Sequence, residues 1–431
     1  MDFFNYRKNR LYAEGVSVEK MAAELGTPLY IYSEKTLKRH FKVFDSAFKK
    51  VPHLVCYSIK ANSNIAVVNT FAREGSGFDI VSGGELYRAL KAGADPARMV
   101  FSGVGKTAEE MACALKEGIL LFNVESGEEL RVLDSVAGRL GKKAPFAIRV
   151  NPDVDPKTHP YISTGLKKNK FGIARDEAIR EYVYAKNNLP NLVPLGIDTH
   201  IGSQLTRVGP FVDALRKTRR LLRTLRKEGI DIRYLDIGGG LGITYDSEKP
   251  PAPHKYAKAV IRETAGLGVR LIFEPGRVIV GNAGILVTRV LYTKKTETKN
   301  FVIVDAAMND ILRPGLYGSY HGIKPVKSRS GANRITADVV GPICETGDFL
   351  ARDREMEEAV SGDLLAVKSA GAYGYTMSSN YNSRLRAAEV MVRGREFYVI
   401  NKRESYTDLV RGEALVPSSA PVKGKKRPLK K

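Results

Sequence analysis

Leu54-Val55-Cys56-Tyr57-Ser58-Ile59-Lys60-Ala61-Asn62 begins as an apolar run and ends on a lysine followed by a small and a polar residue. A short apolar run with such an ending reads as a buried strand meeting its loop. A primary amine at that place suits attack on an aldehyde. At the edge of an apolar pocket the ammonium is desolvated, so its pKa is expected to fall and neutral amine becomes available. An isolated lysine there commonly does no more than snorkel to water, so the reading of Lys60 depends on its surroundings.

Seven further apolar runs follow, each ending in small or polar residues and each succeeded by a stretch of helical character: Phe78 to Ser82, Met99 to Gly103, Leu120 to Ser126, Phe146 to Asn151, Leu195 to His200, Tyr234 to Gly239 and Leu271 to Gly276. Ser82-Gly83-Gly84-Glu85 opens one helix, and Ala108 to Leu115 and Glu128 to Leu140 carry apolar residues at helical spacing. Eight strand-then-helix units in roughly 230 residues match an α/β fold of the (β/α)8 TIM barrel type, expected over 28–279. Barrels of this kind build their sites at the C-terminal ends of the strands. Lys60, Asp79, His200, Gly240 and Glu274 all fall at such ends and are expected to converge on one mouth. From about Val280 the pattern changes to short β-rich runs, such as Ile285 to Tyr292, Phe301 to Val304, Asp363 to Val367 and Glu396 to Ile400, separated by Gly, Asn and Asp turns. An all-β second domain over 280–415 follows, with residues 1–27 packing against it.

Gly238-Gly239-Gly240-Leu241-Gly242, after the seventh strand, is a loop whose amides an anion can approach closely because no Cβ intervenes. A glycine cluster serves a tight turn as well as a phosphate cradle; its place after strand seven of a barrel favours phosphate. Glu274-Pro275-Gly276-Arg277 ends strand eight with a carboxylate and a guanidinium. A carboxylate opposite a pyridine nitrogen keeps it protonated, which suits pyridoxal phosphate. Taken alone, Glu274 and Arg277 read equally well as an ion pair ordering the turn.

Together Tyr57-Ser58-Ile59-Lys60-Ala61-Asn62, Gly77 to Leu86, His200-Ile201-Gly202-Ser203-Gln204, Gly238-Gly239-Gly240 and Glu274-Pro275-Gly276-Arg277 resemble the alanine-racemase-like, fold-type III family of pyridoxal-phosphate enzymes, over about Pro28 to Leu415. The resemblance implies pyridoxal 5'-phosphate as cofactor, with Lys60 its covalent anchor. It further implies that His200 stacks on the ring and Glu274 meets the pyridine nitrogen, while Ser203, Gly239, Gly240 and the backbone near Gly276 hold the phosphate. Asp79, Arg277 and Tyr373 are implied as further cofactor contacts.

The barrel motifs are common to several decarboxylases and a racemase, so the substrate must be read elsewhere. Asp305 to Asp310, Arg313-Pro314, Tyr317 to His321 and Gly341-Pro342-Ile343-Cys344-Glu345-Thr346-Gly347-Asp348 resemble the branch acting on meso-diaminopimelate, as does Asn151 to Gly172. Ornithine and arginine decarboxylases of this fold carry Asp after the corresponding Cys and lack the Arg of the first block. A substrate whose far end is a second amino-acid centre needs a cation for the distal carboxylate and an anion for the distal ammonium. Arg277 and Arg313 with Tyr317 suit the first and Glu345 the second, with Tyr373 also implied at the substrate. The resemblance implies decarboxylation to L-lysine and CO2, the last step of lysine biosynthesis, with Cys344 as proton donor. It also implies a homodimer in which the Cys344 loop covers the partner's barrel. The alternative is a fold-type III decarboxylase acting on ornithine, arginine or carboxynorspermidine; a non-enzymatic cofactor carrier would leave the Arg313 to Glu345 block without purpose.

Composition restricts the remaining classes. At 431 residues and 43% hydrophobic content the chain exceeds one typical domain and can fill two cores. No apolar stretch approaches the roughly 20 residues that span a bilayer, and Met1 to Tyr6 lacks the basic-then-apolar order of a signal peptide, so a cytoplasmic protein is expected. Three widely spaced cysteines, Cys56, Cys113 and Cys344, suggest neither a disulfide framework nor a metal site. The net charge of +22 raises the question of nucleic acid. No reader motif or aromatic interleaving accompanies it, so a solvated basic surface is expected and no nucleic-acid function. The basic tail, 416–431, reads as disordered.

Overall fold

The computed structural model describes residues 2–154 and 170–416. Nearly all of the basic tail and the larger part of the Asn151 to Gly172 segment lie outside the described residues. Eight strands, His53–Ser58, Gly77–Ile80, Met99–Phe101, Leu121–Val124, Ala144–Arg149, Leu192–Asp198, Tyr234–Asp236 and Arg270–Phe273, pair in sequence order as a closed parallel barrel. The eighth returns to the first through Leu271 opposite His53 and Phe273 opposite Val55. Helices follow the strands on the outside, among them Gly83–Lys91, Ala108–Glu117 and Gly127–Arg139. Their starts are fixed locally: Ser82, Thr107 and Ser126 each accept a backbone N–H three residues on, satisfying a donor that the first turn leaves free.

Strand alternation decides what the barrel encloses. Val55, Tyr57, Phe78, Ile80, Phe122, Val124, Ile197, Leu235, Leu271 and Phe273 belong to the large outer core beneath the helices. Leu54, Cys56, Val100, Leu121, Ala147 and Ile272 form a separate apolar cluster inside. The inward positions nearer the strand ends are polar instead: Ser58, Asp79, Asn123, Asp198, Asp236 and Glu274 are all buried. A barrel whose interior turns polar toward its C-terminal mouth is arranged for chemistry there.

The second unit is built on a nine-stranded sheet. Its long strand Gly284–Lys295 pairs antiparallel with Leu29–Ser33, Asn300–Val304 and Leu364–Val367. Leu29–Ser33 also runs parallel to Ala388–Arg393, so it is a strand of this sheet even though 28–279 was read as barrel. Both faces of that strand are covered: Tyr30 and Tyr32 join the core with Leu286, Val302 and Val304. Leu29 and Ile31 meet the N-terminal elements through Phe4, Leu11, Val18 and Met21. The chain thus threads the β unit once before entering the barrel. Among the described residues no helix is long and apolar enough to cross a membrane.

Candidate active site

The first barrel strand ends at Ser58, and the single turn Ile59–Ala61 sets Lys60 at the mouth. Register places Ser58 opposite Asp79, and Lys60 Nζ donates to Asp79 Oδ2 at 2.5 Å while Ser58 Oγ donates to the same oxygen at 2.8 Å. This overturns the expected lowering of the Lys60 pKa. Burial acts in that direction, but the carboxylates of Asp79 and Glu274 outweigh it and hold the ammonium above its ordinary range. The lysine is therefore a paired ammonium rather than a desolvated lone one.

Three loops meet beside it. Leu205 N–H donates to the Gly240 carbonyl, Glu274 N–H to that of Gly238, and Ser58 N–H to that of Pro275. A Cβ on Gly239 would stand 2.2 Å from the Glu274 carbonyl oxygen, and one on Gly240, at φ 106°, 2.4 Å from that of Gly202. No side chain fits at either place, so the close approach of these strands' ends requires glycine. His200 follows strand six into this junction; burial and the nearby Arg149 and Lys60 charges hold its pKa well below the ordinary value, leaving a neutral ring.

Glu274 Oε1 accepts from Ser102 Oγ at 3.0 Å and from Asn123 Nδ2 at 3.2 Å, and the same amide reaches Asp236 Oδ2 at 3.1 Å. Carboxyl oxygens of Asp198, Asp236 and Glu274 all lie within 4.8 Å of one another. Buried like charges so close cannot all persist. Burial first, and then neighbouring carboxylates, push Glu274 well above its usual range, and burial with Asp198 pushes Asp236 up to about 7. The cluster thus favours the protonated form of Glu274.

Arg277 and Arg313 form the other side. Arg277 is 6% exposed and donates to Ser203 Oγ at 3.1 and 3.3 Å and to Tyr245 Oη at 2.6 Å, with its guanidinium 4.8 Å over the Tyr373 ring. Tyr373 is tied to the lysine turn, its N–H donating to the Ala61 carbonyl at 2.8 Å. Arg313, 4% exposed, donates to His321 Nε2 at 2.8 Å and Ser319 Oγ at 3.2 Å and lies 4.5 Å over Tyr245. The Tyr317 hydroxyl bears electrostatically on both guanidiniums. Arg277 is not the ion-pair partner of Glu274, and among the described residues neither arginine forms a salt bridge with a carboxylate. Two buried guanidiniums without a carboxylate partner among the described residues have the chemistry to bind an anion.

Cys344 and Glu345 show no contact with Lys60 among the described residues. Both are exposed; the Cys344 N–H donates to Asn382 Oδ1, and the Glu345 carboxylate accepts from Tyr381 Oη at 3.4 Å. Sequence reasoning missed Tyr245, His321, Ser102, Asn123, Asp198 and Asp236. The last three carried a signal, a polar residue inside an apolar strand run; His321 stood in the Tyr317 to His321 block without a role of its own, and Tyr245 carried no local signal.

The sequence profile of the family described as "Pyridoxal-dependent decarboxylase, pyridoxal binding domain" matches residues 34–281. The chain belongs to this family of pyridoxal-dependent decarboxylases, and the glycine junction, paired lysine and proton-holding Glu274 fit pyridoxal 5'-phosphate as its cofactor. Within the family it falls among the diaminopimelate decarboxylases. It is 55% identical over 419 residues to the diaminopimelate decarboxylase of Vibrio cholerae, covering 97% of this chain and 100% of the relative. Identity to that of Pseudomonas aeruginosa is 55% over 418 residues, with 97% and 100% covered. A crystal structure of diaminopimelate decarboxylase from Helicobacter pylori complexed with L-lysine superposes with TM-score 0.88 at 44% identity, covering 91% of this chain and 98% of that one.

Proposed function

We propose that this chain removes one carboxyl group from meso-2,6-diaminopimelate, yielding L-lysine and CO2, the last step of lysine biosynthesis. The observation that carries the substrate is the pair of buried guanidiniums, Arg277 and Arg313, which among the described residues lack a carboxylate partner at the mouth that holds Lys60. Bound pyridoxal phosphate supplies an electron sink for the pair left when the carbon–carboxylate bond breaks.

The chain's own residues do the rest. Lys60 anchors the cofactor and carries a proton, with Asp79 orienting it. Glu274 would hold a proton for the ring nitrogen, His200 would lie against the ring, and Ser203, Gly239, Gly240 and Gly276 would hold the phosphate. Arg277, Arg313, Tyr317 and Tyr373 take the distal carboxylate, and the burial of the two arginines excludes water from it. Cys344 delivers the final proton and Glu345 takes the distal ammonium, both reaching the barrel of a second copy in a homodimer. A cofactor-binding barrel, a β unit that closes it and a cytoplasmic location belong to the same reading. The test is to incubate the holoenzyme with meso-diaminopimelate and measure both products. CO2 and L-lysine in equal amounts support the proposal; epimerisation without CO2 overturns it.

A further inference from the structure

We infer that His321 is a positioning residue for substrate choice: a neutral imidazole that fixes the Arg313 guanidinium without taking its charge. The inference rests on the proposed role of Arg313 as ligand of the distal carboxylate. A guanidinium has donors only, so the 2.8 Å contact between Arg313 Nη1 and His321 Nε2 requires a lone pair on Nε2. The ring proton is then on Nδ1, which donates to the Lys368 carbonyl oxygen at 2.8 Å. Both ring nitrogens are thereby committed, and the side chain has no exposure to change its tautomer through water. The neighbouring cations agree with this state: burial and the Arg313 charge push the His321 pKa down to about 3.

The choice of a neutral acceptor has a consequence. A carboxylate in that place would orient Arg313 equally well but would neutralise it and compete with the substrate's own carboxylate. With His321 the positive charge is left for the ligand, and Arg313 Nε, buried and without a hydrogen-bond partner among the described residues, remains as a donor. Tyr245 completes the clamp. Its ring packs edge-on against His321 at 5.3 Å and lies under Arg313, while its hydroxyl accepts from Arg277. One tyrosine from the barrel loop and one histidine from the β unit thus set the spacing of two like charges.

The experiment measures kcat and KM for meso-diaminopimelate in holoenzymes carrying His321→Leu, His321→Gln, Arg313→Ala and the Leu/Ala double substitution. His321→Leu is expected to raise KM about tenfold or more with kcat little changed, because it releases the guanidinium. His321→Gln, which offers an amide oxygen to Arg313, should recover most of that loss, and the double variant should be no worse than Arg313→Ala alone. A wild-type KM in His321→Leu beside a raised KM in Arg313→Ala overturns the inference, as does additivity in the double variant. An unchanged KM in Arg313→Ala overturns instead the carboxylate role of Arg313, and this inference with it. Nitrogen NMR of the wild-type holoenzyme gives a readout independent of any variant's folding: His321 Nε2 should be unprotonated from about pH 6 to 8, and an imidazolium signal there refutes the proposal.

Discussion

Lys60→Ala and Cys344→Ala, mixed under subunit exchange, interrogate the whole architecture. Lys60 stands at the barrel mouth, while Cys344 is exposed on a loop where its N–H donates to Asn382 of its own β unit. If that loop serves a second chain, each two-fold dimer holds two composite sites, each made of one barrel and one loop. Either variant alone is nearly inactive, since every site lacks one of the two. A mixed dimer carries one site with both defects and one with neither. Random pairing makes about half the dimers mixed, each with one intact site of two, so activity should recover to about a quarter of wild type if sites act independently. The assay is CO2 release from meso-diaminopimelate after exchange has been verified by mass. No recovery would mean that the Cys344 loop closes its own barrel.

Three further outcomes follow from the same structure. Arg313→Ala removes a buried cation and leaves the substrate carboxylate unmet, a loss of roughly 2 to 5 kcal/mol, so kcat/KM for meso-diaminopimelate should fall by tens to thousands of fold in steady-state assays. Borohydride reduction of the holoenzyme should fix the cofactor on the Lys60 peptide, as read by mass spectrometry, and Lys60→Ala should lose turnover by several orders of magnitude; label on another lysine would exclude the assignment. Glu34 is buried, yet hydrogen bonds from Arg393 and Lys38 outweigh burial and hold its carboxyl below the usual range. A depressed folded value means stability present above the unfolded pKa and lost as pH falls through the folded one. Arg393→Ala should thus destabilise by about 1 kcal/mol near neutral pH, the exposed guanidinium being screened, with the gap closing in acid; a gap that widens in acid refutes the pairing.

The barrel was legible because each of its strands announces itself locally. An apolar run must stop where the chain leaves the core, and Asp79 stands just before such a stop while Lys60, His200 and Glu274 stand just after theirs. What local pattern does not carry is who faces whom. The direction of the Lys60 shift was misread because Asp79 arrives from the neighbouring strand through the Ser58–Asp79 register. Leu29–Ser33 looked like the start of the barrel because a buried strand reads the same whichever sheet claims it, and its pairing with Gly284–Lys295 spans some 250 positions. Asn123, Asp198 and Asp236 were visible as polar residues within apolar strands, whose alternation turns them into the barrel. The roles of Tyr245 and His321 were not visible, since a sequence shows neither that the Tyr245 hydroxyl meets Arg277 nor that the His321 ring faces Arg313.

The central claim is the substrate, and the ratio of kcat/KM values for meso-diaminopimelate and L-ornithine tests it most directly. Ornithine has no distal carboxylate to meet Arg277 and Arg313, so its binding leaves both buried guanidiniums uncompensated. The account predicts that the purified holoenzyme decarboxylates meso-diaminopimelate with a kcat/KM at least about a hundredfold higher. Ornithine turnover equal to or above that of meso-diaminopimelate would contradict it.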